Sequence, residues 1–393
     1  MLLVLLTGVL GLASCGEDRW PAYYEYTGDN LWVDDVMRQH YLWEKEMPAA
    51  KDLTAKYFAS PSAFLNAVRY KDDAFTTVDS LRTARPDYGL DCTMYRFEND
   101  SYGALVTYVE PGSPAGTAGM VRGTWIMEVD GKQISEEMQK TFLQDGRDHL
   151  LTMGRYQDGM IAGYAYLPLG PAETYPRADI PYYNVLTAGE HRVGYLLCNR
   201  LGEDTEALQR IFGEFGGAGV TDFVLDLRYS KTGTLEGMRQ MASRLLPAGA
   251  QGSTLATLTY NNKVSKERPA VLTVDAEGGV SLNLDRLYVL TSGATRGMAE
   301  HLINCLKPYM EVVVIGTATA GEYVVTETFD NEAWELSLRV ATATMKNVEG
   351  SSFTTAGWMP DELVDADSDF AHMLPFGSAE EALLATALDH LLH

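Results

Sequence analysis

Apolar positions change period along this chain, and each change marks an element. Leu31, Val36, Met37, Tyr41 and Leu42 recur at helical spacing within residues 30–43, and a second amphipathic helix is predicted over 62–70. From about Tyr88 the period shortens to that of strands. Residues 102–109 read as a strand running into a Pro-Gly-Ser-Pro turn, and 124–129 as a strand ending in an Asp130-Gly131 hairpin signal. From Arg192 onward strands and helices alternate. Residues 193–196, 223–227, 256–260, 287–290 and 311–315 are strand-like; 205–215, 235–246 and the stretch from Met298 to Pro308 are helix-like. An antiparallel return over 334–343 and a closing helix over 380–392 follow. Such alternation predicts an α/β core with a crossover sheet and helices on its faces. The helix from Met298 would aim its unpaired N–H groups into a cleft.

These patterns divide the chain into residues 1–15 as a signal peptide, 16–28 as a tether, 29–87 as an N-terminal helical domain, 88–170 as a β-rich domain and 171–393 as the core. The apolar run in MLLVLLTGVLGLASC is too short for a membrane span and fits a signal-peptide core, although no Lys or Arg precedes it. Leu12-Ala13-Ser14-Cys15 matches a bacterial lipobox, so Cys15 is expected to carry a lipid anchor to the cell envelope, at the outer membrane or cell surface or facing the periplasm. Cys92, Cys198 and Cys305 remain, an odd number with no close spacing, which yields neither a disulfide framework nor a zinc pattern. The seven histidines are scattered, and neither a metal nor a cofactor is expected. A net charge of −23 argues against a nucleic-acid partner, because phosphate binding needs clustered Lys and Arg.

The stretch LTSGATRGMAE, from Leu290 to Glu300, resembles the catalytic segment of peptidase family S41, the C-terminal processing or tail-specific serine proteases, in their exported lipoprotein form. Family members carry a segment like LTS-x-x-T-A-S-A-S-E, use its ASASE serine as nucleophile, and take a lysine in a later G-K loop as general base. With Thr295 and Glu300 fixed, the nucleophile position holds Gly297, and the lysine position holds Glu322 in Ala320-Gly321-Glu322. The family's oxyanion loop, R-Y-N-x-G-G, aligns with Arg228-Tyr229-Ser230-Lys231-Thr232-Gly233, where Ser230 replaces the asparagine and Thr232 one glycine. A Ser-Lys dyad needs an oxygen nucleophile and a neutral amine, and a branched residue where backbone must approach closely is expected to misplace an oxyanion-binding N–H. The resemblance therefore implies an S41 scaffold without its reacting groups, a pseudoprotease that binds polypeptides or their C-termini.

Residues 102–131 resemble a PDZ domain, whose signature V-x-P-G-S-P-A and A-G-[LM]-x-x-G-D-x-I they follow with Thr124 for the Asp. That resemblance places Tyr88, Gly89 and Leu90 where a peptide carboxylate would dock. A rigid spacer is the other reading of the same segment. Relocated chemistry also stays open: an active serine-type endopeptidase could use a Thr295–His301 or Ser292–Glu322 pair, although such residues more often cap a helix and Thr295 fits an N-cap.

Overall fold

The computed structural model describes residues 20–393 apart from 50–53, 56–57, 82–85, 99 and 276–278; Cys15 and the signal segment lie outside the described residues. Helix α1 (Trp20–His40) starts inside the stretch expected to be a tether. A proline is tolerated in a first helical turn, as Pro21 is here. Further along, Gly28 lies so close to the Trp334 indole that a Cβ would overlap it. Helix α2 (Pro61–Val68) is capped by Ser60, whose Oγ accepts the Ala63 N–H. Strand β1 (Thr77–Ser80) ends this region, whose apolar faces close around Val33, Met37, Tyr41, Phe64 and Leu65.

The β-rich region holds β2 (Leu90–Arg96), β3 (Tyr102–Val109), a four-residue helix α3 (Pro114–Thr117), β4 (Thr124–Val129), β5 (Lys132–Gln133), β6 (His149–Gln157) and β7 (Met160–Leu169). Its sheet runs β2-β3-β4-β6-β7, with β5 paired to β4. Asp130 and Gly131 both take positive φ, so the hairpin predicted at that dipeptide forms.

Core strands β8 (Tyr182–Ala188) and β9 (His191–Leu197) form a hairpin; β10 (Arg200–Leu201), α4 (Thr205–Gly217), β11 (Asp222–Asp226), β12 (Thr232–Gly233) and α5 (Leu235–Leu245) follow. The chain continues through β13 (Thr254–Tyr260), β14 (Val271–Thr273), β15 (Arg286–Thr291), α6 (Met298–Leu306), β16 (Glu311–Gly316), β17 (Val324–Asn331), β18 (Leu336–Asn347), β19 (Glu362–Leu363) and α7 (Ala382–Leu392). One sheet runs β19-β16-β15-β11-β9-β8, parallel except at β8. Helices α4, α5 and α6 bury Phe212, Met241, Leu245 and Leu302 against one face, and α7 buries Leu384 and Ala387 against the other. Strands alternate with crossover helices as their patterning required. A second sheet, built on β18, packs against α6 and carries α1 on its outside.

Candidate active-site cleft

Two parallel strands end side by side and throw their loops toward one place, the usual location of a ligand site in such sheets. After β11 the chain runs through Arg228 to Gly233; after β15 it runs through Ser292 to Gly297. Between these loops, β17 and β18 lies a cleft of about 640 Å³ that Thr232, Gly233, Gly297, Met298, Glu322 and Arg339 help to line.

Gly297, not Thr295, is the residue that caps α6, so the expected N-cap moves by two. Its backbone is φ 60°, ψ −118°, a conformation that costs a side-chain-bearing residue strain and a glycine little. A Cβ there would lie 3.2 Å from Glu322 Oε1 and 3.4 Å from its carboxyl carbon. The two positions aligned with nucleophile and base therefore face each other across contact distance. Neither can react as in the family. Gly297 offers no atom beyond its backbone, and the buried Glu322 carboxylate is bound by the Arg339 guanidinium and, at 3.0 Å, by Thr326 Oγ1.

Glu300 holds this geometry in place. Its fully buried carboxylate accepts the Gly297 N–H at 3.0 Å, the Gly321 N–H at 2.6 Å, the Glu322 N–H at 2.8 Å and the Thr319 hydroxyl at 2.5 Å. One side chain thus ties the helix start to the loop that carries position 322. Burial pushes the Glu300 carboxyl above its ordinary pKa, against those four donors, which pull it down.

Displaced pairs do not assemble. Ser292 Oγ donates to the Arg228 carbonyl at 2.6 Å, and Thr295 Oγ1 to the Leu227 carbonyl at 2.9 Å, so both hydroxyls stitch the two loops together. His301 is fully buried on α6 against the Phe353 ring, 5.0 Å between centroids, and burial pushes its imidazole down to about 4. Ser230 is buried, and its carbonyl accepts the Arg296 N–H. Thr232 pairs with Arg200 in the short parallel ladder β10–β12. Gly233 keeps its glycine because a Cβ would meet the Leu201 and Met298 side chains at 2.9 and 3.0 Å. Cys198 and Cys305 are buried with thiols pushed up to about 12, which leaves them inert.

The Tyr88–Leu90 loop lies elsewhere, in the β-rich region. The Tyr88 ring is buried and its hydroxyl donates to the Arg147 carbonyl, while the Gly89 N–H is donated to Asp87 at 2.8 Å. That same Asp87 carboxylate is bound by Tyr175 and Arg177, from the connector to the core. Leu90 opens edge strand β2.

Sequence reasoning missed Arg339, which lies on the return strand and has no local signal tying it to Glu322. It also missed a buried cluster in which Glu381 receives Arg228 at 2.6 Å and Arg122 at 3.2 Å, with Asp226 against Arg228 at 2.9 Å. Arg122 comes from the β-rich region and Glu381 from the start of α7, so this cluster fastens the oxyanion-loop strand to both. Among the described residues no His, Cys, Asp and Glu group has the makings of a metal site, and no helix is long and apolar enough to cross a membrane.

Comparison with known proteins places this arrangement. Residues 29–77 match the peptidase S41 N-terminal domain, and residues 192–364 match peptidase family S41. A solved structure from Bacteroides fragilis NCTC 9343, described as an S41 protease, is similar with a TM-score of 0.86 and 36% identity, over 92% of this chain and 97% of that one. The carboxy-terminal-processing protease of Bartonella bacilliformis is 25% identical over 316 residues, 77% of this chain and 66% of that protein, so the chain spans just under two thirds of that relative. The photosystem II D1 C-terminal processing protease shares the fold, with a TM-score of 0.50 and 16% identity over 92% of this chain and 99% of that one. With the helical cap, the crossover core and the loop pair all accounted for, the chain belongs to peptidase family S41.

Proposed function

We propose that this chain is a disarmed S41 peptidase that holds polypeptide in its cleft without cutting it. One observation carries the reading: Gly297, in a conformation suited to a nucleophile elbow, faces a glutamate locked to Arg339 where the family has serine and lysine. The Bartonella relative is by name a carboxy-terminal-processing protease, and a polypeptide is accordingly the ligand class we assign to the cleft. The Tyr88–Leu90 loop is the place for a chain terminus, reached when Asp87 gives up the Gly89 N–H. We also assign a lipid to Cys15 and the protein to the cell envelope, on the lipobox alone.

The test is a rearmed variant. Gly297→Ser/Glu322→Lys places hydroxyl and amine across the contact described above, and Arg339 beside the new lysine favours its neutral form, the one a general base requires. The parent is expected to leave an unstructured protein intact and the double variant to cut it; Thr232→Gly is the added step if the oxyanion loop limits the rate. Cleavage by the parent chain that co-purifies with it and is lost on Ser292→Ala or Glu322→Gln overturns the reading, whereas cleavage that survives both substitutions marks a contaminating protease. Fluorescence polarisation with short C-terminal peptides, and Cys15→Ser followed by membrane fractionation, test the terminus and anchor assignments.

A further inference from the structure

The β-rich sheet has one face that the chain covers only in part. Phe370 and Met373, from the segment ahead of α7, lie over Leu105 and Trp125. Trp125 has Gly154 as its partner across the ladder, and Tyr156 of β6 and Ile161 of β7 pack on the same cluster; past them the face is open at Tyr164 and Tyr166 of β7. Eleven large apolar or aromatic side chains are exposed among the described residues, and four belong to this one hairpin: Leu150 at 46%, Met160 at 63%, Tyr164 at 60% and Tyr166 at 73%. Tyr164 and Tyr166 are two apart on a strand and share a face. The Tyr164 ring lies against Gly154, where a Cβ would come within 3.3 Å of it.

The same strand is an edge. Among the described residues β7 pairs with β6 alone. Residues 160–172 contain no Asp, Glu, Lys or Arg, in a chain that is 22% charged and carries a net −23. Exposed edges are ordinarily blunted by charge, proline or a covering element. Here the ladder shifts between Met153 and Arg155, and Pro168 closes the far end, so the free edge is short, centred on Tyr164 to Leu167.

We infer that β7 takes an extended, uncharged polypeptide segment as an added strand, with alternate side chains of that segment seated on Tyr164 and Tyr166. This rests on the polypeptide-binding reading for the class of partner, but names a different surface. A short edge with two exposed rings on one face offers less than the roughly 800 Å² per partner of a stable dimer, while a single added strand needs main-chain groups and pockets for alternate side chains. Charge sorts the partner further. The uncharged strip is where an apolar segment can approach an acidic protein without burying a carboxylate, and basic residues flanking that segment are drawn to the surrounding surface.

The probe is a fluorescein-labelled peptide of alternating Val and Thr with two lysines at each end, titrated into the full chain and followed by polarisation. Saturable binding is expected, weakened at least tenfold by Tyr164→Ser/Tyr166→Ser and by N-methylation of alternate peptide residues, which removes main-chain donors and leaves side chains alone. Circular dichroism melting of the double variant should match the parent, since both rings are exposed. Thr232→Trp, which fills the cleft, should leave the affinity unchanged. If the cleft variant abolishes binding and the tyrosine variant does not, the β7 inference falls and the cleft reading stands. Absence of binding, insensitivity to N-methylation, or a β7-dependent dimer in sedimentation also overturns it.

Discussion

The α6 region and the β-rich region are built in opposite ways. Around α6 one buried carboxylate organises the backbone: Glu300 collects four donors, while Gly297 and Glu322 stand face to face at contact distance. In the β-rich region the polar groups are engaged with each other, as Asp87 is with Gly89, Tyr175 and Arg177, and what is left unsatisfied is a strand edge. The difference teaches that the residues that frame a site and the residues that would react in it are held by separate contacts.

The sharpest way to test that comparison is to remove the buried ion-pair cluster that helps to join the β-rich region to the core. Glu381→Ala leaves Arg122 and Arg228 buried without their shared carboxylate, and the expected loss is about 4 kcal/mol, read by chemical denaturation. If the two regions unfold in separate transitions in that variant, the cluster is what makes them one unit. Next in size is Glu300→Ala, which strands three buried N–H groups and should destabilise by about 3 kcal/mol. A loss below about 0.5 kcal/mol would mean that the frame around the empty site is not held as described. Gly297→Ala should cost about 2 kcal/mol, because its φ of 60° disfavours a Cβ and the Glu322 carboxylate crowds it.

How far the sequence reveals these regions follows from the range of the forces involved. Strand and helix periods are local, so the crossover order from β9 to β16 was legible, and so was the pairing of Gly297 with Glu322 once a family segment supplied the register. Residues 16–28 read as a polar tether, yet α1 begins at Trp20, and Gly28 packs on Trp334, a partner distant in sequence with no local signal. Thr295 looked like a cap by spacing, but its hydroxyl is spent on Leu227 of another strand. Arg339 and the Arg122–Glu381–Arg228 cluster are long-range pairings with no local pattern to betray them.

The smallest predicted effect sets the two regions directly against each other, because each buries one histidine in the opposite charge state. His301 in α6 is neutral: burial drives it down to about 4. His149 in β6 is sandwiched, with Asp130 2.9 Å from Nδ1 and Asp145 2.8 Å from Nε2. Burial opposes its charge, but the two carboxylates outweigh burial and raise its pKa, since only the imidazolium donates to both. The surrounding charges agree: Arg147 first, then His149, hold Asp145 down, and the Leu150 N–H followed by His149 does so for Asp130, with the Tyr88 ring alongside. A raised histidine stabilises below its unfolded pKa of about 6.5 and loses that contribution as pH climbs through the folded value; a lowered one stabilises above about 6.5 and loses its contribution between there and its folded value. The melting temperature should therefore fall on both sides of a maximum, with His149 shaping the alkaline limb and His301 part of the acid limb. His149→Gln should cost about 1 kcal/mol at pH 5 and progressively less toward pH 9, as pH climbs through the raised folded value, which flattens the alkaline limb alone. A variant that lowers the melting temperature equally at both pH values would show His149 to be packing rather than charge, and the contrast between the two regions would then rest on the empty site and the open edge only.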